Sequence, residues 1–85
     1  MTTTTRQIRY AKILGNQIRA LRKARGLTQA ELAFRANMNV TYVGDVERAN
    51  ENISISKLIL LADALEVPLS ELLNSLDEQD ISSKS

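Results

Sequence analysis

The 85-residue sequence contains neither cysteine nor histidine. The lack of cysteine excludes disulfides and thiolate metal sites, and the lack of histidine as well argues against a zinc site and against most general acid–base catalysis. No apolar run approaches the roughly 20 residues of a membrane span, and segment 1–5 has no apolar core of a signal peptide. The sequence therefore predicts a soluble, cytoplasmic, non-enzymatic protein with no metal, no cofactor and no small-molecule ligand.

The charges are unevenly distributed, although the net charge is only +1. Residues 1–35 hold eight basic side chains and one acidic side chain, a net charge of +7. Residues 36–85 hold three basic and nine acidic side chains, a net charge of −6. A basic half beside an acidic half indicates a polyanionic partner. A solvated basic helix face is the alternative that charge alone leaves open.

Apolar residues recur at helical spacing along most of the chain. Leu14, Ile18 and Leu21 lie at i, i+4 and i+7 in a helix predicted over about 6–25. Further helices are predicted at 28–36, 40–48, from 54 to the Val67-Pro68 break, and at 69–76. No segment alternates like a strand. We expect an all-α domain of five helices over residues 10–76, with residues 1–9 as an arm or the start of helix 1, and a disordered polar tail at 77–85.

Residues 27–48 predict two short helices joined by a tight turn. Thr28 and Glu31 have the spacing of a capping box. Asn37 can adopt the left-handed conformation that ends a helix, and Asn39 can cap the next one. The outward face of that second helix is short and polar, and it suits the major groove of DNA.

Three segments resemble the lambda-repressor-like, or Xre-type, helix-turn-helix domains. The first is GNQIRALRKARGLTQAELA at residues 15–33, and the second is Thr41-Tyr42-Val43 followed by Glu47-Arg48. The third is ALEVPLSELL at residues 64–73, which is similar to the fourth and fifth helices of that family. The resemblance covers about residues 10–74. Small proteins of this family include phage repressors, antitoxins and restriction–modification controller proteins. The second segment is most similar to the controller proteins.

The resemblance implies a homodimeric transcriptional regulator that binds a near-palindromic operator and places residues 40–48 in the major groove of double-stranded DNA. The family's base-reading positions correspond to Val40, Thr41, Gly44 and Asp45. Its phosphate-contacting positions correspond to Gln29, Tyr42, Arg48, Asn50 and Asn52. Thr28 and Arg35 are further phosphate candidates. The resemblance also implies a buried structural ion pair between Arg22 and Glu47.

Several of these positions have a second interpretation. Asp45 can instead pair with Arg48 on the helix surface, and Tyr42 can instead be a half-buried packing residue. Gly44 can serve either a close approach to DNA or close helix packing. Four further basic side chains can add an electrostatic rim whose orientation the sequence leaves open; they are Arg19, Lys23, Arg25 and Arg35.

The leucine-rich end of the chain predicts a dimer interface. Its candidate residues are Leu65, Val67, Leu69, Leu72, Leu73 and Leu76; closure of the domain's own core is the alternative. RNA polymerase is a further possible partner. Two rival functions remain: an antitoxin, for which the segment after Leu76 is short, and a protein-interaction module that does not bind DNA.

Overall fold

Five helices and no strand make up the described part of the chain, which is residues 4–74 and 76 of a computed structural model. The helices are α1 (Thr5–Ala24), α2 (Gln29–Arg35), α3 (Val40–Glu47), α4 (Ile55–Leu65) and α5 (residues 69–74). This confirms the predicted all-α class with five helices. The predicted polar tail at 77–85 lies outside the described residues.

Helix α1 begins at Thr5, slightly earlier than the periodicity predicts. The Thr4 hydroxyl accepts from the Gln7 backbone N–H at 3.1 Å, and the Gln7 amide oxygen accepts from the Thr4 N–H at 2.8 Å. This is a reciprocal capping box. Residues 5–9 therefore form the start of helix 1, which is one of the two alternatives that the sequence left open for segment 1–9.

The other helix starts follow the predicted capping chemistry. The Thr28 hydroxyl accepts from the Glu31 N–H, and the Glu31 carboxylate accepts from the Thr28 N–H. Asn39 accepts from the Thr41 N–H at 2.7 Å, and Ser54 accepts from the Lys57 N–H at 3.2 Å. Because each cap satisfies a donor that the first helical turn leaves free, short-range sequence is sufficient to set these boundaries.

The core lies where α1, α2, α3, α4 and α5 converge. Its largest fully buried side chains are Ile18, Leu32, Val43, Leu61, Leu65 and Leu72. The burial of Leu65 and Leu72 corrects their prediction as dimer-interface residues, because a side chain without exposed surface has none to offer a partner. Val67, Leu69 and Leu76 are partly buried against the same core, and only Leu73 of the predicted set is exposed.

Gly15 brings α1 into close contact with the end of α3. An added Cβ at Gly15 would lie 2.5 Å from the Val46 carbonyl oxygen and 2.9 Å from the Glu47 carbonyl oxygen. Glycine weakens the interior of a helix by about 1 kcal/mol relative to alanine, but α1 is continuous through Gly15. The missing side chain therefore permits an approach between helices that no other residue type would allow.

Within residues 4–74 and 76, no helix has both the length and the apolar character needed to cross a membrane.

Candidate nucleic-acid interface

Helices α2 and α3 meet through small and β-branched residues at a tight turn. Ala33, Ala36 and Val43 are buried, and the Met38 N–H donates to the Ala33 carbonyl at 2.8 Å across the turn. Asn37 within this turn has a φ of 55°, which confirms the left-handed residue that the sequence predicts. The small side chains let α3 lie close to α2, and the turn directs the opposite side of α3 to the exterior.

The exterior side of α3 begins with exposed side chains and ends in an ion pair. Val40 retains 45% of its surface, and Thr41 is also exposed. At the other end, the Arg48 guanidinium donates to the Asp45 carboxylate at 2.7 Å. The structure therefore shows Asp45 paired with Arg48, as the second interpretation of this residue expects.

Gly44 is a base-reading candidate that the Arg48 side chain covers. A Cβ built on Gly44 would lie 3.1 and 3.4 Å from the two Arg48 Nη atoms and 3.5 Å from Gln29 Oε1. Gly44 thus offers no side chain and little surface of its own to a ligand. The groups nearest this position are the side chains of Arg48, which follows α3, and of Gln29 in α2. A close approach of Gly44 to DNA stays a prediction.

The ion pair between Arg22 and Glu47 is present and lies at the base of this surface. Arg22 Nε donates to Glu47 Oε2 at 2.7 Å, and Arg22 Nη2 donates to Glu47 Oε1 at 3.0 Å. Arg22 Nη1 also donates to the Leu27 carbonyl at 2.8 Å. Only 8% of Arg22 is exposed, so the pair ties α1 to the start of α2 and to the end of α3 in a region shielded from water.

Gln29 is the third member of this buried network. Its Nε2 donates to Glu47 Oε1 at 3.0 Å. Burial acts to raise the pKa of Glu47, but hydrogen bonds from Arg22 and Gln29 and the nearby arginine charges lower it overall. In return, the hydrogen bond to Glu47 raises the pKa of Arg22. Glu47 therefore stays ionised and holds the Gln29 side chain in one orientation.

A surface hollow of about 250 Å³ opens above the network. Its lining consists of Arg19, Arg22, Gln29, Glu47 and Arg48. Glu47 pairs with Arg22 and Asp45 pairs with Arg48, so the positive charge of Arg19 is left over and makes this hollow cationic, which suits an anion. Arg19 is a site residue that the motif positions miss. Its spacing of three residues from Arg22 puts both on one side of α1, but only the tertiary structure shows that this side meets α3.

The remaining phosphate candidates do not gather at this hollow. The Thr28 hydroxyl serves the α2 cap. Tyr42 is half-buried against the core with the Lys57 ammonium 5.4 Å from its ring centroid, which favours the packing interpretation. Asn50 and Asn52 are exposed in the loop after α3.

Two basic side chains of the predicted rim point elsewhere. Arg25 donates to the Glu66 carbonyl at 3.1 Å and pairs with the Glu66 carboxylate at 3.6 Å, so it faces the turn after α4. Arg35 lies beside Phe34 on the outer surface of α2. The structure thus separates Arg19, which faces the hollow, from these two.

Comparison with known proteins identifies the family to which this chain is similar. Residues 18–72 match the helix-turn-helix family. The immunity repressor protein of Bacillus phage phi105 is 36% identical over 84% of this chain, and the chain spans 58% of that relative's length. Control protein C.SmaI of Serratia marcescens is 39% identical over 73% of this chain and 74% of its own length.

A solved structure with the same fold is that of the restriction–modification controller protein C.Esp1396I, as a tetramer in complex with its natural 35-base-pair operator. It is 29% identical, covers 81% of this chain and 91% of its own, and superposes with a TM-score of 0.74. The family match covers more than half of this chain, and its members are regulators rather than enzymes. The chain therefore belongs to the helix-turn-helix family of DNA-binding transcriptional regulators.

Proposed function

We propose that this protein binds a near-palindromic operator as a homodimer and regulates transcription, in the cytoplasm, from that site. The observation that carries the proposal is the cationic hollow at the end of α3, the helix whose start exposes Val40 and Thr41. With α3 in the major groove, Val40 and Thr41 face base edges. Arg19 and Gln29 then approach the phosphate backbone from the side.

The buried network supports a phosphate-binding role for Gln29. Glu47 already accepts from the Gln29 amide, so the side chain is oriented before DNA arrives and loses little further freedom on binding. Arg19 adds a positive charge next to it. Since each neutralised phosphate releases counterions, binding weakens steeply as salt rises.

Selection of bound sites from a random duplex library tests the proposal. We expect an inverted repeat whose half-sites are one helical turn apart, about 34 Å. Retention of DNA without any enriched motif would contradict sequence-specific binding. No retention even at low salt would refute the DNA-binding proposal and point to a protein partner.

A matched pair of charge removals tests the placement of the phosphate contacts. Arg19→Ala and Arg35→Ala each delete one positive charge, but only Arg19 lines the hollow. We expect Arg19→Ala to reduce the slope of log affinity against log salt by about 0.9 for each phosphate that the variant no longer neutralises. Arg35→Ala should change the slope much less. Equal effects would contradict the assignment of Arg19.

For the homodimer, we propose an interface different from the buried leucines. Ile55 and Ile59 lie one turn apart on α4 and are both exposed, and Leu73 of α5 is also exposed. Exposed aliphatic side chains on neighbouring helices suit contact with a second copy of the chain. Leu69 and Leu76 are partly buried against the core and are not included in this surface.

Sedimentation equilibrium tests the interface. We expect Ile59→Asp to yield monomers, because it puts a charge into an apolar contact. Asn16→Asp is the control, since it adds the same charge at an exposed position of α1, which is not part of the proposed surface, and should leave the dimer intact. A monomeric wild-type protein, or dimers of both variants, would contradict this interface.

RNA polymerase is the partner that we infer for Phe34. This side chain is 86% exposed on the outer surface of α2, and an isolated exposed aromatic suits a contact with another protein. We expect Phe34→Ala to reduce activated transcription in a purified system while operator affinity is unchanged. Unchanged activation by the variant would refute this contact.

A further inference from the structure

We infer that Arg48 reads a guanine in the major groove, held in place by Asp45 across Gly44. The resemblance assigns Arg48 to a phosphate contact, so this inference changes both its ligand and its role. It rests on the proposed function, since it assumes that the outward face of α3 enters the groove.

The backbone of α3 provides a platform for the guanidinium. Arg48 follows the last residue of α3, and its side chain runs back along the helix toward Gly44, one turn earlier. The Arg48 Nη atoms lie 3.1 and 3.4 Å from the point where a Cβ of residue 44 would be, and glycine places no atom there. The guanidinium therefore lies against the helix instead of extending into solvent.

Asp45 fixes the guanidinium from one side. Its Oδ1 accepts from Arg48 Nη2 at 2.7 Å. In the described part of the chain, this is the only hydrogen bond that the Arg48 side chain makes, and 58% of its surface is exposed. The guanidinium therefore keeps free N–H donors on an ordered and accessible group, which is what bidentate recognition of a base requires.

The charge of the pair favours a base over a phosphate. Asp45 cancels the charge of Arg48, and a phosphate bound to this guanidinium would also face the carboxylate at short range. The N7 and O6 atoms of guanine are uncharged acceptors and carry no such repulsion. Val40 and Thr41 cannot make a bidentate contact, so Arg48 is the residue on this face best suited to strong direct readout.

Arg19 provides the internal comparison. It lines the same hollow as Arg48, but no carboxylate is bonded to it among the described residues. An arginine that keeps its full charge suits a phosphate. The two arginines should therefore produce different signatures when each is removed.

The test measures binding to the selected operator and to a panel in which each half-site base pair is replaced in turn. Arg48→Met keeps the aliphatic part of the side chain and removes the charged guanidinium. We expect it to lose preference for guanine at one position of each half-site by about fivefold or more, while preferences elsewhere persist. Arg19→Ala should weaken binding to all sequences about equally and lower the salt slope.

Asp45→Asn gives an independent second measurement. It keeps Arg48 but removes the negative charge that orients it, so we expect tighter binding to all sequences and weaker discrimination at the same base pair. Uniform weakening by Arg48→Met with a lower salt slope would overturn the inference in favour of a phosphate contact. An operator with no preferred guanine would overturn it as well. Failure of the wild-type protein to retain any DNA would instead refute the proposed function.

Discussion

Replacing Gly15 by alanine should destabilise this protein, although the same substitution stabilises an exposed helix. Gly15 lies where α1 meets the end of α3, and a Cβ there would be 2.5 Å from the Val46 carbonyl oxygen and 2.9 Å from that of Glu47. Both obstacles are backbone atoms in or next to a helical hydrogen-bond ladder, so neither can rotate away. The helices must separate by a sizeable fraction of an ångström to restore an ordinary contact.

The net magnitude follows from two opposing effects. Alanine improves helix propensity over glycine by about 1 kcal/mol. Inserting a methyl group into a packed contact costs about 1–3 kcal/mol, and rigid obstacles favour the upper end. The free energy of unfolding should therefore fall by about 2 kcal/mol. For a domain of this size that lowers the Tm by roughly 8–16 °C.

Urea unfolding followed by far-ultraviolet circular dichroism measures the effect. Asn16→Ala is the control, because Asn16 is the exposed neighbour of Gly15 on α1 and its replacement should raise stability by about 0.5 kcal/mol. If Gly15→Ala were as stable as the wild type or more so, the close approach of α1 and α3 would be wrong.

Three further predictions concern the buried network and the α3 cap. Arg22→Ala should lower the free energy of unfolding in urea by about 3–5 kcal/mol, because it leaves the Glu47 carboxylate buried without its main partner. The double variant Arg22→Met with Glu47→Leu should recover most of that stability yet bind DNA poorly, since Gln29 loses its acceptor. Strong DNA binding by the double variant would contradict the role of Glu47 in orienting Gln29. Burial acts to raise the pKa of Glu47, but the bonds from Arg22 and Gln29 lower it overall, so its stabilisation is present above the unfolded pKa and is lost as the pH falls through the folded pKa. Glu31 also has a lowered pKa because of its bonds to Thr28, so acid titration of stability should show a smaller loss in Glu47→Gln than in the wild type, and an equal loss would contradict the role of Glu47. Asn39→Ala should cost about 1 kcal/mol by removing the cap on the Thr41 N–H, and thermal unfolding would contradict the cap if the Tm stayed the same.

The helix boundaries are predictable from the sequence because short-range chemistry sets them. The Thr28–Glu31 box and the Asn39 cap each join residues three or fewer positions apart, and both are present as expected. The same pattern is visible in the sequence at Thr4 and Gln7, but the predicted start of α1 overlooks it. The inward direction of Val43 likewise follows from the 3.6-residue period of a helix.

The candidate site is only partly predictable, since its members come from distant segments. The family resemblance implies Gln29 and the Arg22–Glu47 pair, whereas spacing alone does not. In the sequence, Arg19 is one of several basic residues. Its position beside the site becomes apparent only when the packing of α3 against α1 is known. The outward residues of α3 are predictable, but the covering of Gly44 by Arg48 is not.

By itself the sequence determined the all-α class, the starts of α2, α3 and α4 and the two-helix motif at residues 28–48, because these depend on contacts within one or two turns. Only the tertiary structure decided which leucines close the core and which remain available to a partner. Leu65, Leu72 and Leu73 carry the same side chain, yet the first two are fully buried and the third is exposed. Periodicity defines a face of each helix, but the angles at which α4 and α5 cross their neighbours decide whether that face meets protein or solvent.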